Sequence, residues 1–110
     1  MLLSKSEALV YVSGILEERW FLTHDNEVSR LGSEISPVGR KGKDIFVTGD
    51  PAAWNHWESA IKKITNAEML NEIQAKKALI ELMNKYNEEG FHLEETINHF
   101  QNVLINPEAW

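Results

Sequence analysis

Apolar residues recur three and four positions apart in four separate stretches of this chain, a spacing that builds amphipathic helices packed face to face. The clearest stretch follows Asp50-Pro51. An acidic residue there accepts the orphan N–H bonds of a first helical turn. The proline beside it has no N–H to leave unpaired and a φ already suited to a helix. Trp54, Trp57, Ile61 and Ile64 then make one stripe, with Lys62 and Lys63 near the carboxyl end, where the helix dipole favours cations.

The first stretch, from about 4 to 20, puts Ala8, Leu9, Val12, Ile15, Leu16 and Trp20 on one face, and Ser4-Lys5-Ser6-Glu7 supplies a capping box. Gly14, unfavourable inside a helix, is expected where another backbone approaches closely. From 21 to 49 the periodicity fades and glycine and proline punctuate the chain, so no helix is expected. Residues 34–38 and 44–48 flank the basic Arg40-Lys41-Gly42-Lys43, which predicts an irregular or short β-hairpin insert over about 34–48. Pro37 would lie on its edge, and so small a ribbon must pack on helices to survive. Thr65-Asn66-Ala67-Glu68 reads as a second capping box, opening a helix that runs to Glu89 and buries Leu70, Ile73, Leu79, Ile80, Leu82, Met83 and Tyr86. Gly90 stops it as a left-handed cap. A last helix from about 93 to 105 buries Leu93, Ile97, Phe100 and Leu104 and ends at Asn106-Pro107.

The expected fold class is therefore mainly α: about four helices packed as one small domain, residues 1–110, with the insert after the first helix. At 110 residues, 43% apolar and 25% charged, the chain has the size of one domain and enough apolar material for a core.

The absence of cysteine excludes a disulfide framework, a thiolate zinc site and a cysteine nucleophile, and fits a reducing compartment. No apolar run approaches the length of a membrane span, and Lys5 and Glu7 interrupt the start where a secretory signal would be apolar, so a cytoplasmic protein is expected. A net charge of −6 repels nucleic acid and anionic lipid. The charge is uneven: residues 1–65 carry −1 and residues 66–110 carry −5. Glu88, Glu89, Glu94 and Glu95, flanking Gly90, form the densest cluster and the expected contact patch for a basic protein partner. The blander reading is a solvated helical surface.

The chemistry-bearing residues are weaker signals. His92, Glu95 and His99 could share a helix face, but their spacing matches neither His-Glu-x-x-His nor Glu-x-x-His, so no metal is expected. His24-Asp25 with Ser13, Ser29 or Ser33 assembles a nucleophile, base and orienter only on paper, and His24-Asp25-Asn26 reads as a turn. Gly39-Arg40-Lys41-Gly42-Lys43 fails as a phosphate loop, with Pro37 and Asp44 where glycine and a hydroxyl are needed. No catalytic residue and no cofactor are expected. Trp20, Trp54 and Trp57 read as core, and Trp110, if exposed, would be an interface anchor.

The segment Asp50-Pro51-Ala52-Ala53-Trp54-Asn55-His56-Trp57-Glu58-Ser59-Ala60-Ile61 resembles the segment Asp-Pro-Ala-Ala-Trp, two residues, Trp, two residues, Ala and Ile or Val of small immunity proteins from bacterial contact-dependent growth inhibition systems. Ala78, Leu82, Met83 and Tyr86 are similar to a second helix of that family. The resemblance implies a cytoplasmic antidote that performs no chemistry and occludes the active site of a cognate toxin domain, expected to be a basic nuclease. The competing expectation is a non-catalytic adaptor or regulatory interaction domain, including one that pairs with its own copy.

Overall fold

The computed structural model describes residues 1–40 and 46–105, with backbone alone for 38–40 and 46–47. Among these residues the chain is mainly helical. Five α-helices are seen: α1 (Lys5–Thr23), α2 (Asn26–Ile35), α3 (Ala53–Ile64), α4 (Glu72–Glu88) and α5 (Glu94–Phe100), the last running into a π-helical segment, Gln101–Ile105. Two short strands, β1 (Pro37–Arg40) and β2 (Phe46–Thr48), pair antiparallel, with Arg40 opposite Phe46 and Pro37 opposite Thr48. Residues 41–45, including most of the basic cluster and the loop of the expected insert, lie outside the described residues, as do Asn106-Pro107 and Trp110.

Helix α1 starts where its capping box places it. Ser4 Oγ accepts from the Glu7 N–H at 3.2 Å, and Glu7 Oε1 accepts from the Ser4 N–H at 2.9 Å. Gly14 is exposed and a Cβ built on it meets nothing within 4 Å, which corrects the expected close backbone approach. Gly14→Ala should accordingly stabilise the protein by about 0.5–1 kcal/mol in urea denaturation, by removing glycine's extra unfolded-state freedom from a helix interior.

The fifth helix is α2, which corrects the expectation that 21–49 holds none. Asp25 caps it, Oδ1 accepting from the Glu27 N–H at 2.9 Å, and Val28, Leu31 and Ile35 supply a buried face at spacings of three and four. His24, in the left-handed region at φ 53°, turns the corner out of α1. The insert expected over 34–48 is also placed too early, because Glu34 and Ile35 close α2.

Helix α4 begins six residues later than the Thr65 box suggests. Thr65 Oγ1 accepts only from the Ala67 N–H, and the capping box that forms is Asn71 with Gln74, at 2.8 and 2.9 Å. The intervening chain stays extended at Leu70 because Leu3 and Leu70 exchange two backbone hydrogen bonds, 2.7 and 2.8 Å long. This later start leaves Ile73, expected inside, 43% exposed.

The core is one cluster. Leu9, Val12 and Leu16 of α1, Leu31 of α2, Trp54, Trp57 and Ile61 of α3, Leu79, Leu82 and Met83 of α4, and Ile97 of α5 are all buried in it. Trp20, by contrast, is only half-buried at its edge. The Cα radius of gyration, 13.1 Å, matches the roughly 13 Å of a compact chain this long.

Candidate functional site

Helices α3 and α4 pack against one another, and the two segments carrying the family resemblance face each other across this contact. Asp50 joins them. Its Oδ1 accepts from the Ala52 N–H at 3.0 Å in the turn ahead of α3, whose N-cap is Ala52 rather than the expected Asp50, while Oδ2 accepts from Tyr86 Oη of α4 at 2.9 Å. Trp54, Trp57, Ile61, Ala78, Leu82 and Met83 are buried behind this link. Apart from the exposed Pro51 and Ala52, the matched residues are thus core and brace rather than contact surface.

Tyr86 is itself buried, edge-on to His56 and Phe91 at 5.6 and 5.1 Å between ring centres. Burial, followed by the Asp50 hydrogen bond and charge, raises its phenol pKa well above the ordinary value of 10.0. A folded-state pKa above the unfolded one contributes stability that is complete below about pH 10 and is lost as pH climbs past it, because the unfolded phenol ionises first. Tyr86→Phe should therefore weaken the protein at neutral pH while removing part of its alkaline sensitivity, a change readable from urea midpoints at pH 8 and about pH 11.

Just beyond Tyr86 the chain turns from α4 into α5. Gly90 takes φ 107°, the left-handed region open to glycine. The Phe91 N–H donates to the Tyr86 carbonyl at 3.1 Å, the Leu93 N–H to Asn87 Oδ1 at 2.9 Å, and the His92 N–H to Glu27 Oε1 of α2 at 3.0 Å. Arg30 of α2 lies 3.9 Å from the centre of the Phe91 ring. The turn is fixed by the helices on both sides.

This turn carries the four glutamates singled out in the sequence. Glu88 and Glu89 end α4, Glu94 and Glu95 open α5, and all four are exposed. They are not equivalent. Glu89 Oε1 lies 3.7 Å from Lys85 Nζ, which offsets part of its charge, and 3.8 Å from His56 Nε2. Glu88, Glu94 and Glu95 make no ion pair among the described residues, and Glu94 and Glu95 also sit where the α5 dipole favours carboxylates. Lys85 and Glu89 are four apart on one helix, a spacing legible in the sequence but not read there as a pair.

The other candidates separate. His24 and Asp25 are consumed in the α1–α2 corner as the C-cap of one helix and the N-cap of the next. Ser13, Ser29 and Ser33 do come together, lining a cavity of about 270 Å³ between α1 and α2 with Glu17 and Trp20. No group of three His, Asp or Glu side chains converges on a metal-binding geometry among the described residues. His99 has a lowered pKa, through partial burial and then the charge of Arg19. A second cavity, about 310 Å³ between α3 and α4, is lined by His56, Lys63, Glu81 and Lys85, and the Lys63–Glu81 pair at 3.7 Å spans its wall. Among the described residues no helix is long and apolar enough to cross a membrane.

With the fold and turn described, the class defined is a small, mainly helical domain with an acidic, braced inter-helix corner. No family model, curated protein or solved structure matches the chain.

Proposed function

We propose that this chain is a cytoplasmic immunity protein that neutralises a cognate toxin domain, a basic nuclease, by occluding its active site. The mechanism needs no chemistry from the chain. A nuclease must hold phosphate with cations, and carboxylates on a fixed scaffold occupy the same cationic site without offering a bond to cleave. The observation that carries this reading is the set of four exposed glutamates held at the braced α4–α5 turn. The resemblance supports it independently, since its two segments form the α3–α4 unit that ends in this turn. Because the unit is braced before binding, little ordering cost opposes association, and the negative rim speeds encounter with a positive partner.

Co-expression with the toxic carboxy-terminal domain encoded beside its gene should restore growth. Glu88→Gln, Glu94→Gln and Glu95→Gln together should slow association at least about tenfold and erase most of the protection at matched expression. Continued killing in the presence of the folded wild-type chain rejects the reading.

The adaptor reading draws on one observation, the exposed apolar side chains along and beside α1: Phe21 is 60% and Leu22 76% accessible. It requires no toxin, and a stable complex with an acidic or uncharged partner, insensitive to salt, would favour it over immunity.

A further inference from the structure

We infer that the cavity between α1 and α2 is a receptor for a single arginine side chain presented by the protein this chain binds. Of the four serines in its polar wall, Ser13, Ser29, Ser33 and Ser36, two present acceptors alone. Ser13 Oγ donates its proton to the Leu9 carbonyl at 2.8 Å and Ser33 Oγ donates to the Ser29 carbonyl at 3.2 Å. With those protons committed inside their own helices, the two oxygens have only lone pairs to offer the cavity. Glu17 adds a carboxylate that makes no ion pair among the described residues, and Trp20 adds an indole, the aromatic group that attracts a cation best. Leu16 and Val28, both buried, form an apolar floor for an alkyl stem.

Acceptors, a carboxylate, an indole and an apolar floor together describe the complement of arginine. Its planar guanidinium spreads five donors over several acceptors and stacks on aromatic faces, whereas a lysine ammonium is a compact, strongly hydrated point charge. At about 270 Å³ the cavity falls below the roughly 300 Å³ where drug-sized pockets begin, and suits one long side chain. Phe21, exposed at the rim beside Trp20, would be covered by the partner surface around that arginine, the ring of contacts that keeps water from a buried anchor. The inference rests on the immunity reading only for the source of the arginine, a basic protein.

Titration of the full chain with N-acetyl-arginine amide, followed by amide and indole NMR, tests it. Saturable shifts are expected at the Trp20 indole and at the Gly32 and Ser33 amides, with N-acetyl-lysine amide weaker and the uncharged N-acetyl-citrulline amide inactive. Glu17→Gln should weaken arginine binding about tenfold. Gly32→Leu should abolish it by filling the cavity; a Cβ at Gly32 meets nothing within 4 Å, and an unchanged helical circular dichroism spectrum checks that the variant folds. Absent or non-saturable shifts, an equal response to lysine or citrulline amide, or undiminished binding in both variants would overturn the assignment. Arginine binding without growth protection removes the immunity reading and leaves the receptor. Full protection by a chain that fails to bind arginine does the reverse.

Discussion

Trp57→Ala should lower the unfolding free energy by about 3–5 kcal/mol, the cost of emptying a large buried aromatic site. Trp57 is fully buried, and its indole Nε1 donates to the Lys5 carbonyl in the first turn of α1 at 2.9 Å. One side chain thus fills the centre of the core and pins α3 to α1. Truncation removes both, and the surrounding helices, each held to others, have little freedom to collapse into the space. Since domains of this size are stable by only about 5–15 kcal/mol, the variant should lose roughly a fifth or more of its stability. Trp57→Phe, which keeps much of the volume and deletes the donor, should recover most of the loss. A urea midpoint for Trp57→Ala close to wild type would mean the ring is not the central packing element.

Gly49→Ala is the second large effect, and its sign is opposite to that of Gly14→Ala. A Cβ at Gly49 collides with the Ser33 carbonyl oxygen, a backbone atom of α2 that cannot rotate aside. The chain runs this close because it is stitched to the end of α2: the Gly49 N–H donates to the Ser36 carbonyl at 3.1 Å and the Asp50 N–H to the Glu34 carbonyl at 2.7 Å. Forcing them apart stretches both bonds and displaces Asp50, which braces α3 and holds Tyr86. The expected cost is about 2–3 kcal/mol, the upper part of the overpacking range, because backbone rather than a flexible side chain must yield. Unchanged stability in Gly49→Ala would show that this crossing is loose.

The two glycines mark the boundary of what the sequence could disclose. Gly14 and Gly49 look alike as letters, and only the crossing of β2's exit over α2 distinguishes them. Helix α2 was obscured for a local reason: its apolar positions Val28, Leu31 and Ile35 are separated by Ser29, Gly32 and Ser33, and the punctuation of 32–49 dominated the window. Asp25 before that triad was the signal that could have found it. The α4 start was ambiguous in principle, because Thr65-x-x-Glu68 and Asn71-x-x-Gln74 both fit a capping box. What selects the second is the pairing of Leu70 with Leu3, a contact between chain positions nearly seventy residues apart in sequence.

The candidate site divides in the same way. Exposure of Glu88, Glu89, Glu94 and Glu95 follows from the apolar pattern, since each falls between residues that must face the core. The bracing of their turn by Glu27 of α2 and the placement of His56 of α3 beside Glu89 depend on tertiary packing. The α1–α2 cavity could not be seen without α2. Once that helix is in place, Ser29, Gly32, Ser33 and Ser36 become a stripe of small residues along the groove against α1.

Amide hydrogen exchange across the purified complex with the toxin domain tests the central claim most directly. Slowed exchange concentrated at residues 88–95, with a weaker footprint at the α1–α2 cavity, is the result expected of an acidic corner seated in a cationic cleft. A complex in which that turn exchanges as fast as in the free chain while another face is protected would contradict the occlusion mechanism.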